Sequence, residues 1–502
     1  MPAPPARIPA ELTNRTIFLF WIPLAATWAM MAFEGPFLAA VVARLPDPVI
    51  GLAAYGVAIA FAVLVESPVI MLMSAVTALL SDATSYRRLR AFAMGLNAFA
   101  TGLLLVVLVP PVHRWLFGDV LGLPTEVARQ TYGALWCFLP WPSAIGYRRF
   151  LQGVMIRAGR TRLVAYGTVI RLLAMATAAV VLATAMDLPG AWVGASALST
   201  GVVVEALAAR VMARRSIREV LAGDRDEAEA GSPENRSEAA RTGAAAPAPT
   251  EPAHPEPAVA GPETTIPEDL AIGGGEPASV DAVPGEHGPL ELRDIAVFYY
   301  PLALTSLLGL SVHPMLTFFM GRSVSPVESL AVFPVVQSLL FVFRALGLSY
   351  QDATIALLGA RNRGFPELRR FGMWLALGVS GAFAAIVFTP LADVWFRTIS
   401  GLSAELTGFA LPAARIVAPL PFLGVWLSFE RAILMKGRAT RPITFATTSE
   451  VAAIALFFSA FAWGLDLVGV TAAFSAFLIG KTVSTLYLVP PVRMTLGRSL
   501  WR

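Results

Sequence analysis

Glu34 stands in the stretch Phe33-Glu34-Gly35-Pro36-Phe37, with Trp, Ile, Leu, Ala and Met before it and Leu, Ala and Val after it. A carboxylate in hydrocarbon costs roughly 3 kcal/mol or more at mid-helix, so a chain that keeps one uses it for a pair, a pathway or an ion site. Ten residues separate Glu34 from Arg44, about 15 Å along a helix, which sets it near mid-membrane. Burial disfavours the charged form, so a proton or Na⁺ can occupy the carboxylate in one state and leave in another. That is the chemistry of ion coupling. The structural alternative is a carboxyl that anchors a helix break before Pro36. Five more ionisable residues interrupt apolar runs, namely Glu66, Arg171, Arg344, Glu450 and Lys481, and His313 directly precedes Pro314.

These residues carry that meaning only inside a bilayer, and the composition puts them there. The 502 residues are 56% hydrophobic and 14% charged, too apolar for a soluble protein of this size. Runs long enough to cross a membrane recur at about 16–44, 49–80, 88–110, 128–156, 162–186 and 189–213, then at 293–321, 326–359, 369–391, 406–435, 441–464 and 467–490. The expected fold class is therefore an all-α integral membrane protein of twelve spans. The N-terminal Met-Pro-Ala-Pro-Pro-Ala-Arg has no secretory-signal pattern, so the first span is expected to be retained. Cys137 is the single cysteine, and His113, His254, His287 and His313 show no metal-ligand spacing. No cofactor is expected beyond H⁺ or Na⁺ as coupling ion.

Basic residues choose the orientation. Arg87, Arg90, Arg157, Arg162, Arg214, Arg363, Arg370, Arg441 and Arg493 fall on one side of these spans, while Arg44, Arg114, Arg129, Arg322 and Arg397 fall on the other. The positive-inside rule then predicts cytoplasmic termini and a cytoplasmic central loop in a bacterial inner membrane. The partners expected are the lipid bilayer and a small-molecule substrate. Nucleic acid is not expected, because the basic residues flank spans without aromatic recognition motifs.

Residues 217–292 are rich in Ala, Pro, Glu and Gly and poor in large apolar side chains, which predicts a disordered linker between lobes at 1–216 and 293–502. The lobes repeat. A shift of 278 carries Pro23, Thr27, Pro36, Arg44 and Pro48 onto Pro301, Thr305, Pro314, Arg322 and Pro326. A shift of 279 carries Arg90, Phe92, Pro140, Pro142, Phe150 and Gly201 onto Arg369, Phe371, Pro419, Pro421, Phe429 and Gly480. Six spans per lobe make this a parallel pseudo-two-fold repeat. Pro36 and Pro314 become hinge candidates, since each removes a backbone hydrogen bond inside a span.

The repeat also exchanges charge: Glu66 falls on Arg344, and Arg171 on Glu450. Intramembrane charges tend to pair, so Glu66 and Arg344 are expected to form an inter-lobe gate or to line the substrate path; the alternative is partners within each lobe. Lys481 in the twelfth span and Glu205 in the sixth sit three residues out of register. Arg148, Arg149, Glu430 and Arg431 are expected near the cytoplasmic ends of the fourth and tenth spans, where snorkelling or local pairing accounts for them as well as substrate contact does. His313 reads as a hydrogen-bonded structural imidazole, with pH sensing as its functional alternative. Gly480-Lys481-Thr482 resembles the end of a phosphate-binding loop, but Ser475 stands where the loop needs glycine and no strand precedes it.

With two six-span lobes, Glu34 midway along the first span, "GLAAYGV" at 51–57 and "LQGVMIRAGRTR" at 151–162, the chain resembles the multidrug and toxic compound extrusion (MATE) transporters and their wider flippase superfamily. "LAAYGVA" and "YYPLAL" at 299–304 resemble the progressive ankylosis branch. The resemblance implies an exporter, read as a monomer and not an enzyme, whose lobes rock about a cleft between spans 1, 2, 7 and 8. In the ankylosis branch the substrates are small anions such as pyrophosphate, citrate or nucleotides. A fifth span offering Arg171 in place of an Asp or Asn departs from the multidrug branch. A lipid-linked precursor flippase is the alternative within the superfamily. A multi-span glycosyltransferase is the alternative outside it, disfavoured by the short external loops.

Overall fold

The computed structural model describes residues 12–230, 290–359, 362–437, 439 and 441–497. Helices dominate. The N-terminal lobe holds α1 (Asn14–Val42), α2 (Pro48–Leu79), α3 (Ala83–Val107), α4 (Thr125–Cys137 followed by Trp141–Arg157), α5 (Thr161–Ala185) and α6 (Gly190–Met212). The C-terminal lobe repeats them as α7 (Leu292–Gly321), α8 (Pro326–Leu357), α9 (Phe365–Phe388), α10 (Ala404–Ile416 followed by Leu420–Lys436), α11 (Arg441–Gly464) and α12 (Gly469–Leu496).

Among the described residues ten of these helices are long and apolar enough to cross a membrane unaided, and α10, bent by 44°, makes an eleventh. Its repeat mate α4 is not among them; its halves are 13 and 17 residues long and carry Arg129, Gln130, Arg148, Arg149 and Gln152. The outward faces of the bundle are oily: Leu173, Val180, Trp374, Phe445 and Leu456 are each half or more exposed, as a surface solvated by lipid requires.

The repeat is written into the backbone as well as the side chains. Asp47 and Ser325, related by the 278 shift, both adopt φ 51° immediately before the proline that opens α2 and α8. Both first spans break at the same place, Phe33 in α1 and Ser311 in α7. Pro36 and Pro314 lie three residues further on, and each lacks the N–H that would bond the carbonyl four residues back. At the crossing of α2 and α8, a Cβ on Gly56 would sit 3.1 Å from the ring of its own repeat mate Pro334. Glycine lets the two lobes touch along their pseudo-axis.

The stretch read as a disordered linker begins as structure. A helix, Arg214–Ala230, follows α6. Arg160 from the turn before α5 donates to Ser216 at 3.0 Å and Glu219 at 2.7 Å, and Arg215 pairs with Glu219 one turn away at 3.1 Å. Ala, Arg and Glu are strong helix formers, and the apolar Ile217, Val220 and Leu221 pack against the lobe, so this end of the linker is anchored. Residues 231–289 lie outside the described residues.

Candidate functional site

A cavity of about 200 Å³ lies between the lobes. Its N-terminal wall comes from α1, α2, α4, α5 and α6 and presents Glu34, Glu66, Arg148, Arg149 and Arg171. Its C-terminal wall, from α7 and α8, presents His313, Phe333, Pro334, Gln337, Ser338 and Phe341. The expected cleft spans 1, 2, 7 and 8 all contribute, and α4, α5 and α6 are additions.

The break at Phe33 ends the first half of α1, so Glu34 opens the second half with its carboxylate toward α5. Arg171 Nη2 donates to Glu34 Oε1, in a pair whose side chains are 10% and 13% exposed. Arg171 Nε lies 3.5 Å from Glu205 Oε2 on α6, and that oxygen also takes Arg148 Nη1 at 2.6 Å. Gln152 Nε2 donates to the other Glu205 oxygen at 3.4 Å. The row Glu34, Arg171, Glu205, Arg148 thus alternates in sign across four helices. Glu66, 1% exposed on α2, is held differently: its carboxylate accepts from the neutral indole N–H of Trp141.

Three carboxylates (Glu34, Glu66, Glu205) and three guanidiniums (Arg148, Arg149, Arg171) make up this cluster, so it balances when every group is ionised. Charges taken this far out of water must be compensated nearby, which is the physical reason for the matched count.

The C-terminal lobe builds its own cluster away from the cavity. Lys481 Nζ pairs with Glu450 Oε1 at 2.8 Å, and Arg344 and Lys481 both lie over the Phe477 ring, at 5.7 and 5.6 Å. Glu430 accepts from Trp426 Nε1 at 3.1 Å, and Arg431 is 3% exposed. Phe333 faces the cavity and stacks on Phe474, one turn from Phe477 on α12. This aromatic row stands between the two environments.

The sign exchange read from the repeat therefore appears as two buried pairs and not as a gate. Arg171 with Glu205 joins α5 to α6, and Glu450 with Lys481 joins α11 to α12. Glu66 and Arg344 do not meet in this structure, because each is held inside the polar cluster of its own lobe. Arg148 and Arg149 are 2% and 1% exposed, so they do not snorkel. They sit halfway along Trp141–Arg157, about 13 Å from its end, a depth that counting residues back from Ala158 would have revealed. Trp141 and Gln152 carried no such signal. His313 lines the cavity with its ring edge-on to Phe333, 6.2 Å between centroids.

The lobes also touch one another toward both faces, and both sets of contacts obey the repeat. At the arginine-poor face Arg44 donates to the carbonyls of Thr398 (2.6 Å) and Ile399 (2.9 Å), while Arg322 donates to those of Asp119 (2.6 Å) and Val120 (2.9 Å). Those carbonyls end the π-helical segments Arg114–Val120 and Val394–Ile399, where backbone acceptors lack partners. The chain turns there at Gly122 (φ 69°) and Gly401 (φ 76°), and a Cβ on Gly401 would meet Arg44 Nη1 at 2.9 Å. Toward the arginine-rich face, Trp21 packs on Phe371 and donates to Ser349 Oγ at 2.8 Å, whose hydroxyl donates to the Leu346 carbonyl. Its mate Tyr299 packs on Phe92 and donates to the carbonyl of Pro68, the mate of Leu346.

No family model and no curated protein sequence matches this chain. Solved structures do. An inward-facing multidrug resistance MATE family transporter of the MOP superfamily aligns over 98% of this chain and 99% of its own, with TM-score 0.59 and 13% identity. The Lipid II flippase MurJ in an inward closed conformation aligns over 95% and 87%, with TM-score 0.65 and 12% identity. A MOP superfamily transporter from Pyrococcus furiosus, described by a binding pocket of reverse polarity, aligns over 97% of each chain with TM-score 0.56 and 12% identity. The chain is a multi-pass membrane protein with the two-lobed fold of the MOP superfamily.

Proposed function

We propose that this protein is a secondary active transporter that moves a small organic molecule or anion by alternating access, coupled to H⁺ or Na⁺ through the cavity carboxylates Glu34 and Glu66. The observation that carries the reading is a charged cavity between lobes that touch toward both faces through contacts that are repeat mates of one another. Each set is a few polar or aromatic contacts, small enough to open singly while the other holds. A bound solute drives that exchange only if its affinity differs between the two open forms. The arginine-rich face, with both termini and the linker, is cytoplasmic in a bacterial inner membrane by the positive-inside rule, and export is the direction. The breaks at Phe33 and Ser311, fixed by Pro36 and Pro314, serve as hinges.

Flux into or out of proteoliposomes, with citrate, pyrophosphate and a cationic dye side by side and a pH or Na⁺ gradient imposed or absent, tests the reading. Gradient-dependent flux of one probe, reduced in Glu34→Gln, is expected. Absence of flux for all three under either gradient overturns it. Three guanidiniums in the cavity favour a lipid-linked diphosphate as second reading, since arginine suits phosphate. Flipping of a fluorescent lipid diphosphate without solute flux selects that reading.

A further inference from the structure

Glu34 and Glu66 both face the cavity, but their partners differ in kind. Glu34 is bonded to the guanidinium of Arg171, and Glu205 to that of Arg148 at 2.6 Å. Protonating either carboxylate would strip a buried cation of its direct counter-charge, which is strongly unfavourable where water cannot take over the missing partner. Glu66 receives its hydrogen bond from the indole of Trp141, which carries no charge. Its proton can come and go without breaking an ion pair.

The surrounding charges decide the effect of that proton. Arg148 and Arg149 approach Glu66 from α4 and Arg171 from α5, while Glu34 from α1 and Glu205 from α6 neutralise part of that field. Tyr55 on its own helix, Tyr299 on α7, donating to the Pro68 carbonyl two residues away, and His313 on α7 complete the titratable groups packed about it. With Glu66 ionised the cluster of three carboxylates and three guanidiniums is neutral. With Glu66 protonated it carries one uncompensated positive charge, open to the cavity.

We propose that Glu66 is the proton-binding carboxylate of the transport cycle and that its protonation creates the binding site for a monoanionic group: one proton and one negative charge enter the cavity together. The inference rests on the transporter reading and narrows its substrate to organic anions. The proton enters with the anion from water at the open cytoplasmic face and returns to water at the other, both carried down the anion's outward gradient, so the loaded cavity is as neutral as the empty one. That neutrality is what lets either form cross the bilayer centre without an electrostatic barrier.

The test is binding, not flux, with purified full-length protein in nanodiscs and benzenesulfonate as probe, a strong-acid anion whose own charge is constant through the titration. Wild type should take up one proton from a weakly buffered solution per anion bound, and its affinity should fall about tenfold per pH unit on the alkaline side. Glu66→Gln, a permanent mimic of the protonated form, should bind the anion with pH-independent affinity and no proton uptake. Glu66→Asp should keep the coupling at a displaced pH. His313→Gln should keep proton uptake. Anion binding without proton uptake in wild type overturns the proposal, as does failure to bind the anion at any pH, or proton uptake that survives in Glu66→Gln and vanishes in His313→Gln. Because the readout is equilibrium binding, coupled binding without gradient-driven flux would fault only the transporter reading.

Discussion

The two lobes are copies of one six-helix unit, yet they spend their buried charges differently. The N-terminal lobe turns its cluster toward the cavity, which Glu34, Glu66 and three arginines line. The C-terminal lobe folds Glu450, Lys481 and Arg344 behind Phe333, Phe474 and Phe477 and shows the cavity a wall without carboxylate or guanidinium, in which His313, Gln337 and Ser338 stand beside Phe333, Pro334 and Phe341. A duplicated fold can thus place its charged cavity wall in one half and pack its other ion pairs out of reach in the second. The same residue types line a cavity in one lobe and lie behind aromatic rings in the other.

The sharpest way to break this contrast is to remove one partner of the C-terminal pair. Lys481→Met leaves Glu450 buried without its 2.8 Å counter-ion and should cost ~3–5 kcal/mol, read as a large drop in the thermal midpoint of the purified protein. The double change Glu450→Leu with Lys481→Met should restore most of that stability and keep flux. The matching N-terminal double, Glu34→Leu with Arg171→Met, should also fold but lose about thirtyfold or more in apparent affinity, the equivalent of ~2 kcal/mol for a lost charged contact. If both doubles transport alike, the division of labour between the lobes is wrong.

The face closures sharpen the comparison from the other side, since there the lobes should be equivalent. Arg44→Gln and Arg322→Gln each remove a pair of carbonyl contacts across the lobes. Each should shift the balance toward the form open at the arginine-poor face by ~1.4 kcal/mol, about tenfold. Labelling of a Thr398→Cys reporter by an impermeant thiol reagent, in a Cys137→Ser background, measures that shift for Arg322→Gln; an Asp119→Cys reporter measures it for Arg44→Gln. Tyr299→Phe deletes a single hydrogen bond at the other end, and its effect on closure there should be ~1 kcal/mol.

The smallest effect belongs to the helix after α6. Hydrogen bonds from Arg160 hold the Glu219 carboxyl below its usual range, with Arg215 assisting against a little desolvation. A depressed carboxylate contributes its stability at neutral pH and loses it as pH falls through its own titration, so the helix should loosen in acid. Hydrogen exchange over Arg214–Ala230 should rise modestly at low pH in wild type and already at neutral pH in Glu219→Gln, a small change because solvent and salt screen an exposed pair.

Much of this molecule can be read along one dimension. Spans are legible because bilayer thickness sets their length, and α4 reads as one of them at 128–156 in spite of the arginines it buries. The depth of Glu34 and the breaks governed by Pro36 and Pro314 are legible for the same reason, since helix rise converts residue number into height. The same conversion sets Arg148 and Arg149 well inside α4 and not at the interface, and of the readings given them, snorkelling, local pairing or substrate contact, Arg148 shows the local pair, with Glu205.

Partner choice was not legible. The sequence by itself determined an all-helical membrane protein, its repeat, and which charges lie deep in it, because apolar length and residue spacing are properties of the chain alone. Only the tertiary structure decided that Glu34 meets Arg171, that Glu66 meets Trp141 and not Arg344, and that Arg44 and Arg322 clasp carbonyls of the opposite lobe. Side chains on different helices meet according to how those helices rotate and tilt against each other, and a charge buried there takes whichever partner that packing brings within reach.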